Sequence, residues 1–226
     1  MSLAYAPPLT TKQKPPTKPD APPGYQPGFE VPSIQEIVHE PYHYQPQQTL
    51  RERMSRADFL ALPDTELKLE WADGWAILMA PELTTNIDAL MELVMLLKQA
   101  FPSFGVYHEA GLAMGASGNL RRPDLTIYPH KVGSQYWVTD KPIIVAEALS
   151  KTTRKQDIGA KRAEYAARGI DQYWLIDTAA RRIEVLVNIA GEYVTSVVIT
   201  DESPFAQVGI SKYGTVELDL KAIMPN

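Results

Sequence analysis

IIVAEALS, residues 143–150, is an apolar strand with a single acid, Glu147, in its middle. A strand this apolar belongs inside a sheet covered on both faces. A carboxylate buried there is costly unless its pKa shifts, a cation pairs with it, or it holds a metal. The elements on either side must show which. Downstream, RKQDIGAKRAEYAAR reads as a helix that stops at Gly169, and DQYWLID follows as another strand. Strand, helix and strand from 143 to 176 suit a right-handed parallel crossover.

Upstream, RRPDLTIYP is a short strand entered through Pro123, and GVYHEAGLAM is a strand before the GASGN turn. TTNIDALMELVMLLKQAF carries apolar residues at 87, 90, 91, 94, 97 and 101, the stripe of an amphipathic helix. Asp73-Gly74 sits between two alternating runs in ELKLEWADGWAILM, a hairpin signal. Ser55, with Asp58 three residues on, caps a short helix. RRIEVLV and EYVTSVVIT form a second hairpin around NIAG. The fold class is α+β with α/β-like character: a central mixed sheet flanked by helices, with extra hairpins.

Eleven of the nineteen prolines fall within residues 1–46. This segment cannot form a regular helix or a central strand, so residues 1–49 are read as an extended arm and 50–226 as the folded domain. The plainer reading of the arm is a linker-like tail without chemistry; the alternative is docking on its own domain or on a neighbouring subunit. There is no cysteine, which removes disulfides, thiolate nucleophiles and Cys-ligated metal sites. The amino terminus has no apolar signal-peptide run, and no segment approaches the roughly 18 apolar residues of a membrane span. A soluble, cytoplasmic protein is expected. The net charge of −5 argues against a general nucleic-acid coat, but a locally basic groove remains compatible with it.

Strand alternation puts Asp124, Thr126 and Tyr128 on one face, and Ile143, Val145, Glu147 and Leu149 on one face of the next strand. If the two strands are neighbours, Asp124 and Glu147 converge. Two carboxylates and a backbone carbonyl suit a hard divalent cation such as Mg²⁺. Asp157, Lys161 and Tyr165 lie at i, i+4 and i+8, so Lys161 falls near the acids if that face covers the strand end. Six basic residues between 151 and 168, with Arg121 and Arg122, gather positive charge around this point. Each residue also has a plainer reading. Glu147 and Lys161 can form a structural ion pair. Asp124 can cap a turn, and Asp157 can serve as an intrahelical partner. Glu70 can be a hairpin-surface acid and Lys161 a solvated helix lysine.

The ordered set ELKLEWADGWAILM, RRPDLTIYP, IIVAEALS, D-x3-K-x3-Y in QDIGAKRAEY and GIDQYWLID resembles the Uma-two family. That family is a branch of the restriction-endonuclease-like PD-(D/E)XK superfamily, and the resemblance covers about residues 50–220. It implies a Mg²⁺-dependent endonuclease acting on DNA, with Mn²⁺ as an alternative ion. Asp124, Glu147 and the Ala148 carbonyl would hold the metal. Leu149 stands where the wider superfamily has a lysine, and Lys161 on the next helix resembles its migrated replacement. Glu70 resembles the accessory acid, and Asn86 takes the place of a common histidine. A homodimer suits duplex cleavage. The alternatives are a catalytically silent nucleic-acid-binding or protein-interaction module on the same fold, and action on a non-nucleic phosphate.

Overall fold

The computed structural model describes residues 32–39 and 49–224. Two six-stranded sheets organise the described residues. The central sheet holds β4 (Gly105–His108), β7 (Leu125–Tyr128), β9 (Ile144–Ala148), β10 (Gln172–Asp177), β11 (Arg182–Ile189) and β12 (Glu192–Ile199). Its order is β12-β11-β10-β9-β7-β4, with β9 parallel to β10 and antiparallel to β7. The IIVAEALS strand therefore sits mid-sheet, and all five of its residues are buried.

Alternation along β9 sorts its side chains. Ile144, Ala146 and Ala148 face α3 (Thr84–Ala100), α6 (Leu220–Ile223) and the hairpin of β13 (Phe205–Gly209) and β14 (Thr215–Asp219). Val145 faces the other way, toward Tyr165 and Ala166 on α5 (Arg162–Ala167). Glu147 shares that side, which places its carboxylate beneath a helix.

The second sheet, β1-β3-β2-β6-β5-β8, contains β1 (Leu50–Arg53), β2 (Leu69–Ala72), β3 (Trp75–Leu78), β5 (Gly111–Ala113), β6 (Leu120–Arg121) and β8 (Trp137–Val138). The expected Asp73-Gly74 turn joins β2 to β3, with both residues at positive φ. Ser55 caps α2 (Arg56–Leu60) by accepting from the Asp58 amide. Among the described residues no helix is long and apolar enough to cross a membrane.

Three readings need correction. GVYHEAGLAM is not a single strand, and in RRPDLTIYP the strand entered through Pro123, present as expected as β7, follows a short strand of the other sheet, β6. Each starts or ends in one sheet and crosses to the other, as β4 then β5 and as β6 then β7. Glu109 turns the first corner at φ 49°, and its amide donates to the Asp124 carbonyl at 3.0 Å, tying both corners together. Gly111 follows because a Cβ there would lie 2.1 Å from the Tyr136 carbonyl oxygen. On α3 the buried face is Asn86, Ala89, Leu90, Leu93 and Leu97, while Ile87, Met91 and Met95 are exposed. The apolar residues of that helix spread well beyond its buried arc, so periodicity alone misplaces its seam. Within the segment read as an extended arm, Ile34–His39 forms helix α1, packed on the second sheet. Residues 1–31 and 40–48, and with them any docking of the arm, lie outside the described residues.

Candidate functional site

The register Leu125↔Ala146 between β7 and β9 sets Asp124, one residue earlier, opposite Glu147. Asp124 Oδ2 accepts from the Ala148 amide at 2.6 Å. The Leu149 amide donates the other way, to Ile176 across β10. Alternation then directs the Ala148 carbonyl, like its amide, to the Asp124 side of the strand. Asp124, Glu147 and the Ala148 backbone thus meet at one point, lining a cleft of about 850 Å³.

Lys161 Nζ lies 3.0 Å from Glu147 Oε1, 3.2 Å from Glu70 Oε1 and 3.3 Å from Asp157 Oδ1. It is 1 % exposed, and Glu70 is 0 % exposed. The solvated reading of Lys161 and the surface reading of Glu70 are therefore both wrong. The helix is not regular here: α4 (Arg154–Gln156) and α5 are joined by a π-helical stretch, Asp157–Lys161. Such widened turns recur at functional sites. Asp157 and Lys161 remain on one side and point into the cluster.

Glu147 also accepts from the Tyr165 hydroxyl at Oε1, 2.8 Å away. Among the described residues no donor meets its Oε2. Glu70 reaches in from the second sheet, and its Oε2 is held by Arg121 at 3.1 Å. Arg121 in turn pairs with Glu164 at 2.7 Å.

Burial pushes the Glu147 carboxyl up to about 8; Asp124 and Asp157 add to the shift, and Lys161 opposes it. Burial likewise raises Asp157. Burial alone would raise Glu70 too, but Lys161, Arg121 and Lys68 outweigh it and hold its carboxyl at about 2. For Lys161, burial works against the ammonium, yet Glu147, Glu70 and Asp157 keep its pKa well above the ordinary lysine range. Lys161 stays charged, and any proton the cluster takes up goes to Glu147 or Asp157.

Lys68 was not singled out in the sequence. It lies just before β2, pairs with Asp124 Oδ1, and stands 3.6 Å from Glu109. A two-residue offset from Glu70, on the same strand side, was the only available signal. Asn86 is buried, donates to Glu82 at 2.6 Å and accepts from Thr178; Glu82 and Thr178 line the cleft.

The expected basic gathering is largely committed to internal bonds. Arg121 is bound as above. Arg122 donates to the Leu67 and Glu109 carbonyls, Arg154 to Asp177, Arg162 to the Tyr193 carbonyl and Arg168 to the Thr139 carbonyl. Of the exposed basic residues between 151 and 168, Lys151 lines the cleft.

The donors around the cleft are all oxygen: the Asp124 and Glu147 carboxylates and the Ala148 carbonyl. Among the described residues no three histidine, cysteine or acidic side chains form a ready-made metal cage. A partial oxygen set suits a hard ion that keeps several waters, as Mg²⁺ does, and the donorless Glu147 Oε2 fits one ligand position.

No curated relative matches the chain. Among solved structures, a protein from Anabaena variabilis described as a "putative nuclease belonging to DUF820" matches with a TM-score of 0.61 at 18 % identity. The match covers 74 % of this chain and 96 % of that one, and it establishes a shared fold. The model of one family, Uma2, described as "Putative restriction endonuclease", matches residues 56–211. That span is well over half of the chain, which therefore belongs to the Uma2 family.

Proposed function

We propose that the chain is a divalent-metal-dependent endonuclease that hydrolyses DNA phosphodiesters in the cleft between its two sheets. The single observation that carries this reading is the meeting of Asp124, Glu147 and the Ala148 backbone at the cleft floor, with charged Lys161 3.0 Å from Glu147. Asp124, Glu147 and the Ala148 carbonyl would hold the ion, Mg²⁺ or Mn²⁺. When bound, such an ion lowers the pKa of its water and neutralises charge developing on phosphate.

The protein's own groups do the rest. Lys161 keeps its proton and fixes Glu147 by a charge-assisted bond. Tyr165 donates to the same oxygen and leaves Oε2 without a donor among the described residues. Glu70, kept ionised by Lys161 and Arg121, holds Lys161 in place from the second sheet. Lys151 adds positive charge at the rim for a polyanion. The reading includes a cytoplasmic location. It also includes pairing of two subunits for duplex cleavage, favoured by the exposed row Leu83, Ile87, Met91 and Met95 along α3.

The test is incubation of the protein, Asp124→Asn and Glu147→Gln with plasmid and with single-stranded DNA, in Mg²⁺, Mn²⁺ or chelator. Cleavage that needs metal and disappears in both variants supports the reading, and equal background in every sample ends it. A second reading, a silent module that binds nucleic acid or protein, is favoured by the near-complete burial of Lys161 among three carboxylates. Binding of DNA without cutting would select it.

A further inference from the structure

Asp124 has two carboxylate oxygens, and both are engaged. Oδ2 accepts from the Ala148 amide at 2.6 Å, a bond inside the sheet that is 3 % exposed at Asp124. Oδ1 is held by the Lys68 ammonium. Each oxygen accepts one such bond and keeps a second lone pair, so a cation that binds Asp124 sits on the same carboxylate as Lys68, and two cations that close repel. Lys68 is well placed to give way. Its side chain is 13 % exposed and lines the cleft, in contrast to the buried Lys161. It has a second acid within reach, Glu109 at 3.6 Å, with its own side chain 25 % exposed. The Glu109 amide is bonded to the Asp124 carbonyl, so this second acid stays beside the first wherever the lysine goes. Burial disfavours the Lys68 ammonium, but Asp124 and Glu147 outweigh it and raise its pKa, so it moves as a cation.

We propose that Lys68 is a tethered cation that competes with the metal for Asp124, moves to Glu109 and the open cleft when the metal binds, and there contacts the phosphate of the substrate. The inference rests on the metal-dependent reading above. It assigns two separable effects to one residue: Lys68 weakens metal binding and supports cleavage.

The experiment is calorimetric titration of Mn²⁺ and Mg²⁺ into the full chain, Lys68→Met, Lys68→Arg and Glu147→Gln, alongside DNA cleavage at saturating metal. Lys68→Met keeps the aliphatic stem, and its thermal unfolding is recorded to show that it folds. Its metal affinity is expected to rise roughly tenfold or more, the worth of one charge-assisted hydrogen bond no longer in competition, while cleavage falls. Lys68→Arg, whose guanidinium can hold a carboxylate by two bonds, is expected to bind metal more weakly than the unaltered chain, and it decides the matter if Lys68→Met does not fold. Unchanged or weaker metal binding in Lys68→Met overturns the proposal, as does stronger binding in Lys68→Arg. If those results come with loss of metal binding in Glu147→Gln, only the Lys68 proposal fails. If the unaltered chain takes up no metal, the metal-dependent reading fails and Lys68 with it.

Discussion

Replacing Lys161 with methionine removes a charge that three carboxylates surround at 3.0, 3.2 and 3.3 Å. Methionine keeps most of the stem, so little packing is lost. The three acids are not left equally exposed to the loss. Glu70 retains Arg121 at 3.1 Å and the Arg122 amide at 3.2 Å. Glu147 retains the Tyr165 hydroxyl, whereas the Asp157 oxygens have no hydrogen-bond donor. Breaking a buried ion pair by deleting one partner costs about 3–5 kcal/mol, and that is the expected loss at pH 8.

A carboxyl can escape an unpaired charge by taking a proton, at about 1.4 kcal/mol for each pH unit above its ordinary pKa. In the variant the folded-state pKa values of Asp157 and Glu147 rise further, so the folded state binds more protons than the unfolded one between the ordinary carboxylate pKa and the raised value. Stability of the variant then falls as pH climbs through that window. Lowering the pH from 8 to 5.5 should recover up to about 3 kcal/mol through one proton on Asp157, since the unaltered chain itself gains the Glu147 proton over this range, leaving a loss of about 0–2 kcal/mol. Urea unfolding followed by tryptophan fluorescence, to which the buried Trp174 contributes, measures it at both pH values. A loss under about 1 kcal/mol at pH 8, or one that does not depend on pH, would refute the charge arrangement described for the cluster.

Three more outcomes follow from the same geometry. Because Glu147 titrates at about 8 and must ionise to hold a cation, Mg²⁺ affinity should rise with pH up to about 8 and binding should release up to about one proton; calorimetry in two buffers of different ionisation enthalpy reads this directly. Glu70→Gln removes a carboxyl held at about 2, whose stabilisation is complete above the ordinary glutamate pKa and disappears as pH falls toward 2; the variant should be less stable by about 3–5 kcal/mol at pH 7 and show a flatter acid limb in denaturation. Gly74→Ala forces a side chain onto φ 82° with its Cβ 3.3 Å from Arg53, and should cost about 1–2 kcal/mol in thermal unfolding with no change in metal binding.

The strands and their acids were legible because burial and alternation are local. Glu147 announced itself as the one charge in an apolar strand, and neighbouring strands were enough to bring Asp124 opposite it. Lys161 was legible through its four-residue spacing from Asp157, which survives the π-helical widening. The corner at Glu109 was not legible, because a strand that changes sheets keeps the same alternation on both sides of the bend. Lys68 escaped for a related reason. Its role depends on how the second sheet stacks against the first, and no periodicity in ELKLEW records that. Helix α1 had a local signal that prolines overshadowed: Ser33-Ile-Gln-Glu36 is a capping box, with Ser33 Oγ accepting from the Glu36 amide and the Glu36 carboxylate accepting from the Ser33 amide.

The cluster's charge count explains why an acid can persist in the middle of IIVAEALS. Six carboxylates, Glu70, Glu109, Asp124, Glu147, Asp157 and Glu164, meet three cations, Lys68, Arg121 and Lys161. Fully ionised, that set carries three net negative charges, with Glu109 and Glu164 at its more exposed edge and the other four acids buried. Two remedies are open: a proton on Glu147, which its raised pKa provides near neutral pH, or an added cation in the cleft. A purely structural ion-pair network would be expected to balance, since surplus buried charge destabilises a fold without return. Asp124, Glu147 and Asp157 all line the cleft, and the first two are joined through the Ala148 backbone. A cleft with surplus negative charge beside Lys68, which has Glu109 within 3.6 Å, is better matched to taking up a cation than to remaining as it is.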